Sequence, residues 1–408
     1  MNENVGGILM SHYHPLTEQE AVQIAKELDG FFSTNATLTS KEIGDGNLNL
    51  VFHIKDEQVN KSIILKQALP YAKVVGESWP LSLDRARIES ETLILEGKLA
   101  PGLAPIVYKY DQDLALTVME DLSDHVIMRR GLIEGHQYPL FADHISSFLA
   151  QTLFYTSDLG MNQQAKKLQV KNFINPDLCK ITEDLIFDDP YTVSANNNYE
   201  VAIEDAAKAL REDEELHLEI AILREKFLTK AQALLHGDLH TGSIFVTESS
   251  TKVIDPEFAY YGPIGFDIGA VFANLLLNYT SVDHWITENN RDAFKTYLLN
   301  TITSIWHQFN NKFLALWEKD GVDRLANSSS AYKAHYMVSL LQDAAGYTGA
   351  KMVRRVVGLA HVADIDTISD DKVRQAAQRK ALNIGTALIK QNRKISSIEE
   401  LIDIVLSN

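Results

Sequence analysis

A chain of 408 residues is too long for one simple core, and at roughly 100–200 residues per domain it predicts two structural units. Its 45% hydrophobic and 23% charged residues exclude disorder as the default, and a net charge of -17, from 38 Lys and Arg against 55 Asp and Glu, argues against nucleic acid or an anionic membrane surface as partner. Cys179 is the single cysteine, so neither an intramolecular disulfide framework nor a cysteine-rich zinc site is available; no basic leader precedes an apolar run, and no stretch approaches about 18 apolar residues, so a soluble cytoplasmic protein is expected.

In chain order, Pro15 to Phe32 carries Thr17 and Glu20 at capping-box spacing and then Ala21, Ile24, Ala25 and Leu28 at helical spacing, which predicts an amphipathic helix. Glu42–Ile43, a glycine-bearing turn, Leu50 to Ile54 and Ser62 to Gln67 read as three antiparallel strands. Asp84 to Leu99 is helical in pattern, Pro101 and Pro105 end it, and Ile106–Tyr108 and Leu114–Met119 supply two more strands. Beyond Asp124 the pattern is mostly helical, broken by two short strand-like runs, Ser243–Val246 and Lys252–Ile254. The expected class is α+β: a small antiparallel β-sheet lobe over residues 1–121 and a larger, mainly α-helical lobe over 122–408.

The strongest chemical signal is His236–Gly237–Asp238–Leu239–His240–Thr241–Gly242–Ser243, followed by the strand pair and then Asp255–Pro256–Glu257. Phosphoryl transfer needs a carboxylate to orient the attacking hydroxyl and take its proton, and separate oxygens to hold magnesium against the phosphates. Asp238 suits the first task. Asp255 and Glu257, read as alternate residues at a strand end, would face one metal, with Ser243 adding a hydroxyl. Each piece alone has a plainer reading, a turn with a capping Asp or a solvated acidic pair; their order together is that of a protein-kinase-like catalytic core. Downstream, Asp267 in GPIGFDIG is placed either to brace the catalytic loop through backbone hydrogen bonds or to cap the following helix, and the two roles are compatible.

The first half supplies the matching nucleotide elements. Gly44 and Gly46 lie in a short glycine turn between strands, with Asn49 where a third glycine of a phosphate loop would stand and its amide available to a phosphate oxygen. Lys66 on the third strand is placed to bind the α/β-phosphates, and Glu89 or Glu91 on the next helix would hold it; Glu89 is preferred because Ile88, Leu95 and Leu99 mark the buried side with Glu89 at its edge. Glu120, Asp121 and Leu122 form the expected hinge, presenting backbone carbonyl and N–H groups to adenine. The -17 charge repels ATP, so these elements and Mg²⁺ must make the site locally favourable.

Over residues Ile43 to Leu277 the sequence resembles the kinase-like small-molecule phosphotransferases that include aminoglycoside, choline and homoserine kinases, and more narrowly the methylthioribose kinases, through HGDLHTGS, DPE, FAYYGPIGFDIG and GESWPLSLDRARIE. Ser243 stands where the general pattern has Asn, a departure the methylthioribose kinases share. The resemblance implies a bilobal protein-kinase-like fold, ATP and Mg²⁺, a homodimer, and phosphorylation of 5-methylthioribose at its anomeric hydroxyl in methionine salvage. It also implies that the pair Arg354–Arg355 belongs to the sugar site, where a cation stabilises the transferred phosphoryl. Since adjacent helical residues diverge by about 100°, only one is expected to point squarely inward. Trp79 would close over the sugar. The alternatives are an aminoglycoside, choline or homoserine kinase, and a non-catalytic nucleotide-binding module.

Overall fold

The computed structural model describes residues 13–43, 48–72 and 76–408, with the backbone alone at 72 and 76–79. These residues divide into two compact units, one of residues up to Lys98 together with Ala104–Ser123, the other of Leu99–Leu103 together with Asp124–Asn408.

In the first unit the helix Glu18–Lys26 starts from the expected capping box, in which Thr17 Oγ1 accepts from the Glu20 amide at 3.3 Å and Glu20 Oε2 accepts from the Thr17 amide at 2.8 Å. It ends at Lys26, short of the predicted Phe32. Seven strands follow: β1 (Leu38–Glu42), β2 (Asn49–Asp56), β3 (Lys61–Ala68), β4 (Tyr71–Ala72), β5 (Gly76–Pro80), β6 (Val107–Asp111) and β7 (Leu116–Glu120). β4 and β5 form a small hairpin, and the other five make an antiparallel sheet in the order β1-β2-β3-β7-β6. Period-two alternation gives the sheet two working faces. Phe52, Ile54, Ile63, Leu65, Leu116 and Val118 pack with Ala21 and Ala25 of the first helix to form the core of this unit. Lys66, opposite Thr117 in the β3–β7 register, lies on the other face. There the helix Asp84–Leu99 covers the sheet, its Ser90 hydroxyl bonded to that of Thr117.

The second unit is mainly helical. Its centre is the helix Gly265–Trp285, in which every residue from Gly265 to Val282 is buried, the polar Asp267, Asn274 and Asn278 included. Helices Ser330–Val357, Asp371–Gln391 and Arg291–Asp320 pack around it. The helix Ser330–Val357 comes so close that a Cβ on Gly269 would meet Ala344 O at 2.7 Å. Three short strands, β8 (Val126–Ile127), β10 (Ile244–Val246) and β11 (Thr251–Val253), form one sheet in the order β11-β10-β8, while β9 (Ala233–Leu235) pairs with β12 (Tyr260–Gly262). β9 ends just before His236 and β12 begins just after Phe258, so this pairing pins both ends of the segment that carries HGDLH and DPE. Among the described residues no helix is long and apolar enough to cross a membrane.

Candidate active site

In the first unit, Lys66 Nζ donates to Glu89 Oε1 at 2.7 Å, with Glu89 only 3% exposed. Glu91 instead accepts from Arg87 at 3.0 Å. Glu89 is the partner expected, but the helix face that holds it is not the one expected. Leu95 and Leu99 are only half-buried, whereas Arg85, Ala86, Ile88, Glu89, Ser90, Thr92, Leu93 and Glu96 are buried, because the helix lies on a polar sheet face carrying Lys66 and Thr117. Asn49, whose amide is expected to reach a phosphate oxygen, uses its carbonyl oxygen within the unit. It is buried, and its Oδ1 accepts from Arg85 Nη2 at 3.0 Å while the same nitrogen donates to Leu48 O at 2.7 Å, so Arg85 ties down the backbone at the start of β2. Gly44, Gly46 and the Trp79 side chain lie outside the described residues.

At the end of β7 the Asp121 carboxylate accepts from His53, Ser62 and Ser123, fastening the strand end to β2 and β3. Burial raises its pKa, but the hydrogen bonds from Ser123, Ser62 and His53 outweigh this and lower it. The Glu120 carboxylate accepts from the Ile106 amide at 3.0 Å and Leu122 is buried, so the side chains of this segment serve the sheet.

In the second unit the HGD loop is built on backbone constraints. Gly237 has φ +85°, and a Cβ there would stand 2.2 Å from Phe258 O, so position 237 requires glycine on both counts. Asp267, one turn into its helix, accepts from the amides of His236 at 2.7 Å and Gly237 at 3.1 Å. It is therefore the loop brace; the helix N-cap is Ile264, whose side group makes no capping bond. Burial raises the Asp267 pKa against the lowering effect of His236 and these amides. His236 Nε2 bonds to Ile254 O at 2.8 Å and its Nδ1 faces the Asp238 amide at 3.3 Å, which sets the Nε2–H tautomer and links the HGD loop to the segment before Asp255.

Asp255 and Glu257 come together by a route other than strand alternation. β11 stops at Val253, and Asp255 takes φ +71°, a left-handed conformation rare for any residue but glycine. The turn brings a carboxylate oxygen of Asp255 within 4.8 Å of one of Glu257. Asn175 Nδ2 fixes the turn by donating to Glu257 O at 2.8 Å and Ala259 O at 3.2 Å. An all-oxygen pair at this spacing fits a hard divalent cation such as Mg²⁺.

Asp238 sits among cations. Its Oδ2 is 3.4 Å from His240 Nε2 and its Oδ1 is 3.8 Å from Lys351 Nζ. Burial alone would raise this carboxyl, but His240, Lys351, Arg354 and Arg355 together hold it well below the usual carboxylate range. His240 is itself pushed down to about 3, by burial first, with Asp238 opposing and Arg129 and Arg355 adding to it. It is therefore neutral at pH 7, and the standing positive charge belongs to Lys351 and the arginines. His240 Nδ1 lies 3.3 Å from the buried Ser243 hydroxyl, which shares this network.

Lys351, Arg354 and Arg355 stand at i, i+3 and i+4 near the end of the helix Ser330–Val357, on one face. Both arginines feel Asp238, and burial lowers the pKa of each. They differ in engagement. Arg355 Nη1 donates to Ala360 O at 3.3 Å and His361 O at 3.4 Å, whereas Arg354 Nε is buried without an acceptor. Arg129, which the sequence does not single out, joins them: its Nη2 donates to Asn274 Oδ1 at 3.2 Å and its Nε is 3.6 Å from the buried Asp364 carboxylate.

A small antiparallel sheet with a lysine–glutamate pair, and a helical unit with a braced HGD loop, give the fold of the protein-kinase-like small-molecule phosphotransferases. The model of the phosphotransferase enzyme family matches residues 39–307. The methylthioribose kinase of Geobacillus sp. (strain WCH70) is 51% identical over 389 residues, covering 95% of each protein. That of Yersinia enterocolitica serotype O:8 / biotype 1B is 47% identical over 399 residues, 98% of this protein and 100% of the other. Among solved structures, choline kinase from Cryptosporidium parvum Iowa II aligns with a TM-score of 0.49 at 13% identity, covering 94% of this protein and 96% of that one. The protein belongs to the methylthioribose kinase family of ATP-dependent phosphotransferases.

Proposed function

We propose that this protein transfers the γ-phosphoryl group of ATP to the anomeric 1-hydroxyl of S-methyl-5-thio-D-ribose, giving S-methyl-5-thioribose 1-phosphate and ADP in methionine salvage. The observation that carries the chemistry is Asp238, an ionised carboxylate held on a braced loop within a cluster of cations. An anomeric hydroxyl is more acidic than an ordinary alcohol, so a weak carboxylate base suffices for it. Asp238 aligns that hydroxyl and takes its proton as the oxygen attacks the γ-phosphorus in line. Lys66, oriented by Glu89, holds the α/β-phosphates, Gly44, Gly46 and Asn49 are assigned to the same phosphates, Arg85 bonds to Asn49, and the backbone at Glu120, Asp121 and Leu122 meets adenine. Asp255 and Glu257 would hold Mg²⁺, with Ser243 near its water shell. When bound, the metal draws charge from the β- and γ-phosphates.

Of the two arginines, Arg354 has the unspent donor, so it is the one proposed to meet the sugar or the transferred phosphoryl, while Arg355 holds the segment after the helix. Trp79 is proposed to cover the sugar. Arg129, Lys351, Arg354 and Arg355 oppose a cationic aminoglycoside or choline as acceptor. A homodimer acting in the cytoplasm completes the reading, supported by family resemblance and by the single cysteine. Asp238→Ala should abolish turnover and leave Mg–ATP affinity within a few-fold of wild type, measured by ADP release and equilibrium binding; near-normal kcat would contradict the assignment.

A further inference from the structure

We infer that Lys351 is a further catalytic residue, its ammonium donating a hydrogen bond to the substrate oxygen from which Asp238 takes the proton. The inference rests on the sugar-kinase reading above for the identity of that oxygen. Lys351 is 5% exposed, and its Nζ stands 4.1 Å over the ring of Phe266, a cation–π contact that fixes the ammonium from one side. Its charge partner Asp238 Oδ1 is 3.8 Å away, beyond hydrogen-bond length, and among the described residues Nζ has no acceptor at bonding distance. With no acceptor at bonding distance among the described residues, the ammonium of this largely buried side chain has donors to offer a ligand.

The spacing fits such a ligand. An oxygen bonded to both groups at about 2.8 Å from each can sit between atoms up to about 5.6 Å apart, and the 3.8 Å gap is well within that span. The hydroxyl that Asp238 orients therefore falls within reach of Lys351. In the transfer the hydroxyl proton passes to Asp238, the oxygen forms its bond to the γ-phosphorus, and the β–γ bridging P–O bond breaks with its electron pair leaving on ADP. Lys351 remains protonated throughout and stabilises the negative charge that gathers on the attacking oxygen before the new bond neutralises it. Neutral His240 on the other carboxylate oxygen cannot supply that charge.

The test compares wild type with Lys351→Ala and Lys351→Gln for kcat, KM of sugar and of ATP, and Mg–ATP affinity, with circular dichroism to confirm folding. Both variants should lose about 10²–10³-fold in kcat, the scale of one transition-state donor, with Mg–ATP affinity within about threefold. Methylammonium or ethylammonium should restore kcat of Lys351→Ala saturably by at least about tenfold, which no loss of packing alone would allow. Should the Ala variant fail to fold, the Gln variant, of similar length and neutral, carries the kcat test alone. Folded variants with kcat within about threefold of wild type, or a loss in Lys351→Ala that neither amine relieves, overturn the inference. Wild type is assayed alongside: if it is silent with the sugar but phosphorylates another alcohol, the sugar reading fails, and the same variants on that alcohol still decide Lys351.

Discussion

Replacing Gly237 by Ala probes the geometry on which the HGD loop depends. The residue sits at φ +85°, where a Cβ costs about 1–2 kcal/mol. The added methyl would also stand 2.2 Å from Phe258 O, about 1 Å inside an ordinary carbon–oxygen contact of roughly 3.3 Å. The obstacle is backbone, and it follows directly on Glu257, so no rotamer change relieves it. Either the Asp238 loop or the turn bearing Asp255 and Glu257 must move by about 1 Å, and a displacement of that size costs about 10²-fold in rate. Gly237→Ala should therefore lose about 2–4 kcal/mol of stability by urea denaturation and at least about 100-fold in kcat by ADP release. The Mg²⁺ concentration for half-maximal activity should rise as well. Wild-type kcat and an unchanged urea midpoint would refute the reasoning.

Asp267→Ala leaves two buried backbone N–H groups without an acceptor, at about 1–3 kcal/mol each, so its urea midpoint should fall and kcat with it; Asp267→Asn keeps one oxygen acceptor but turns an NH2 on the other amide, so it should recover only part of that loss. Glu89→Gln removes the charge that orients Lys66 and should raise the ATP KM at least about tenfold while leaving the sugar KM within a few-fold. The Lys351 pKa is held down to about 8, by burial first, with Asp238 and Asp267 pulling it up and Arg354 and Arg355 pushing it down. Its depressed pKa means that the charge is lost as pH rises through about 8, so kcat should decline there in wild type, and this alkaline limb should be missing in Lys351→Gln.

Much of the site was legible because kinase chemistry imposes an order on the sequence. Lys66 on the third strand and Glu89 on the next helix could be paired before any distance was known, and Asp267 could be placed behind the HGD loop. What escaped the sequence depends on groups brought together from far apart. Lys351 has its partner in Asp238, on a distant segment, although its i, i+3, i+4 spacing with Arg354 and Arg355 was a usable signal. Arg85 and Arg129 look like ordinary surface cations until burial and their partners are seen. β9 and β12 are three-residue strands buried on both faces, so they carry no alternation to detect. The Asp255–Glu257 pair was expected from strand geometry and arises instead from a left-handed residue before a proline, a conformation that residue type does not announce.

The identity of the acceptor is read out by ADP release from Mg–ATP with purified full-length protein against methylthioribose, choline, homoserine and an aminoglycoside in parallel, with phosphorus NMR of the product. Methylthioribose alone should turn over at a substantial rate, one ADP per sugar, with the new phosphorus on the anomeric oxygen. Preferential turnover of one of the other acceptors, or silence with all four despite tight Mg–ATP binding, would contradict this assignment.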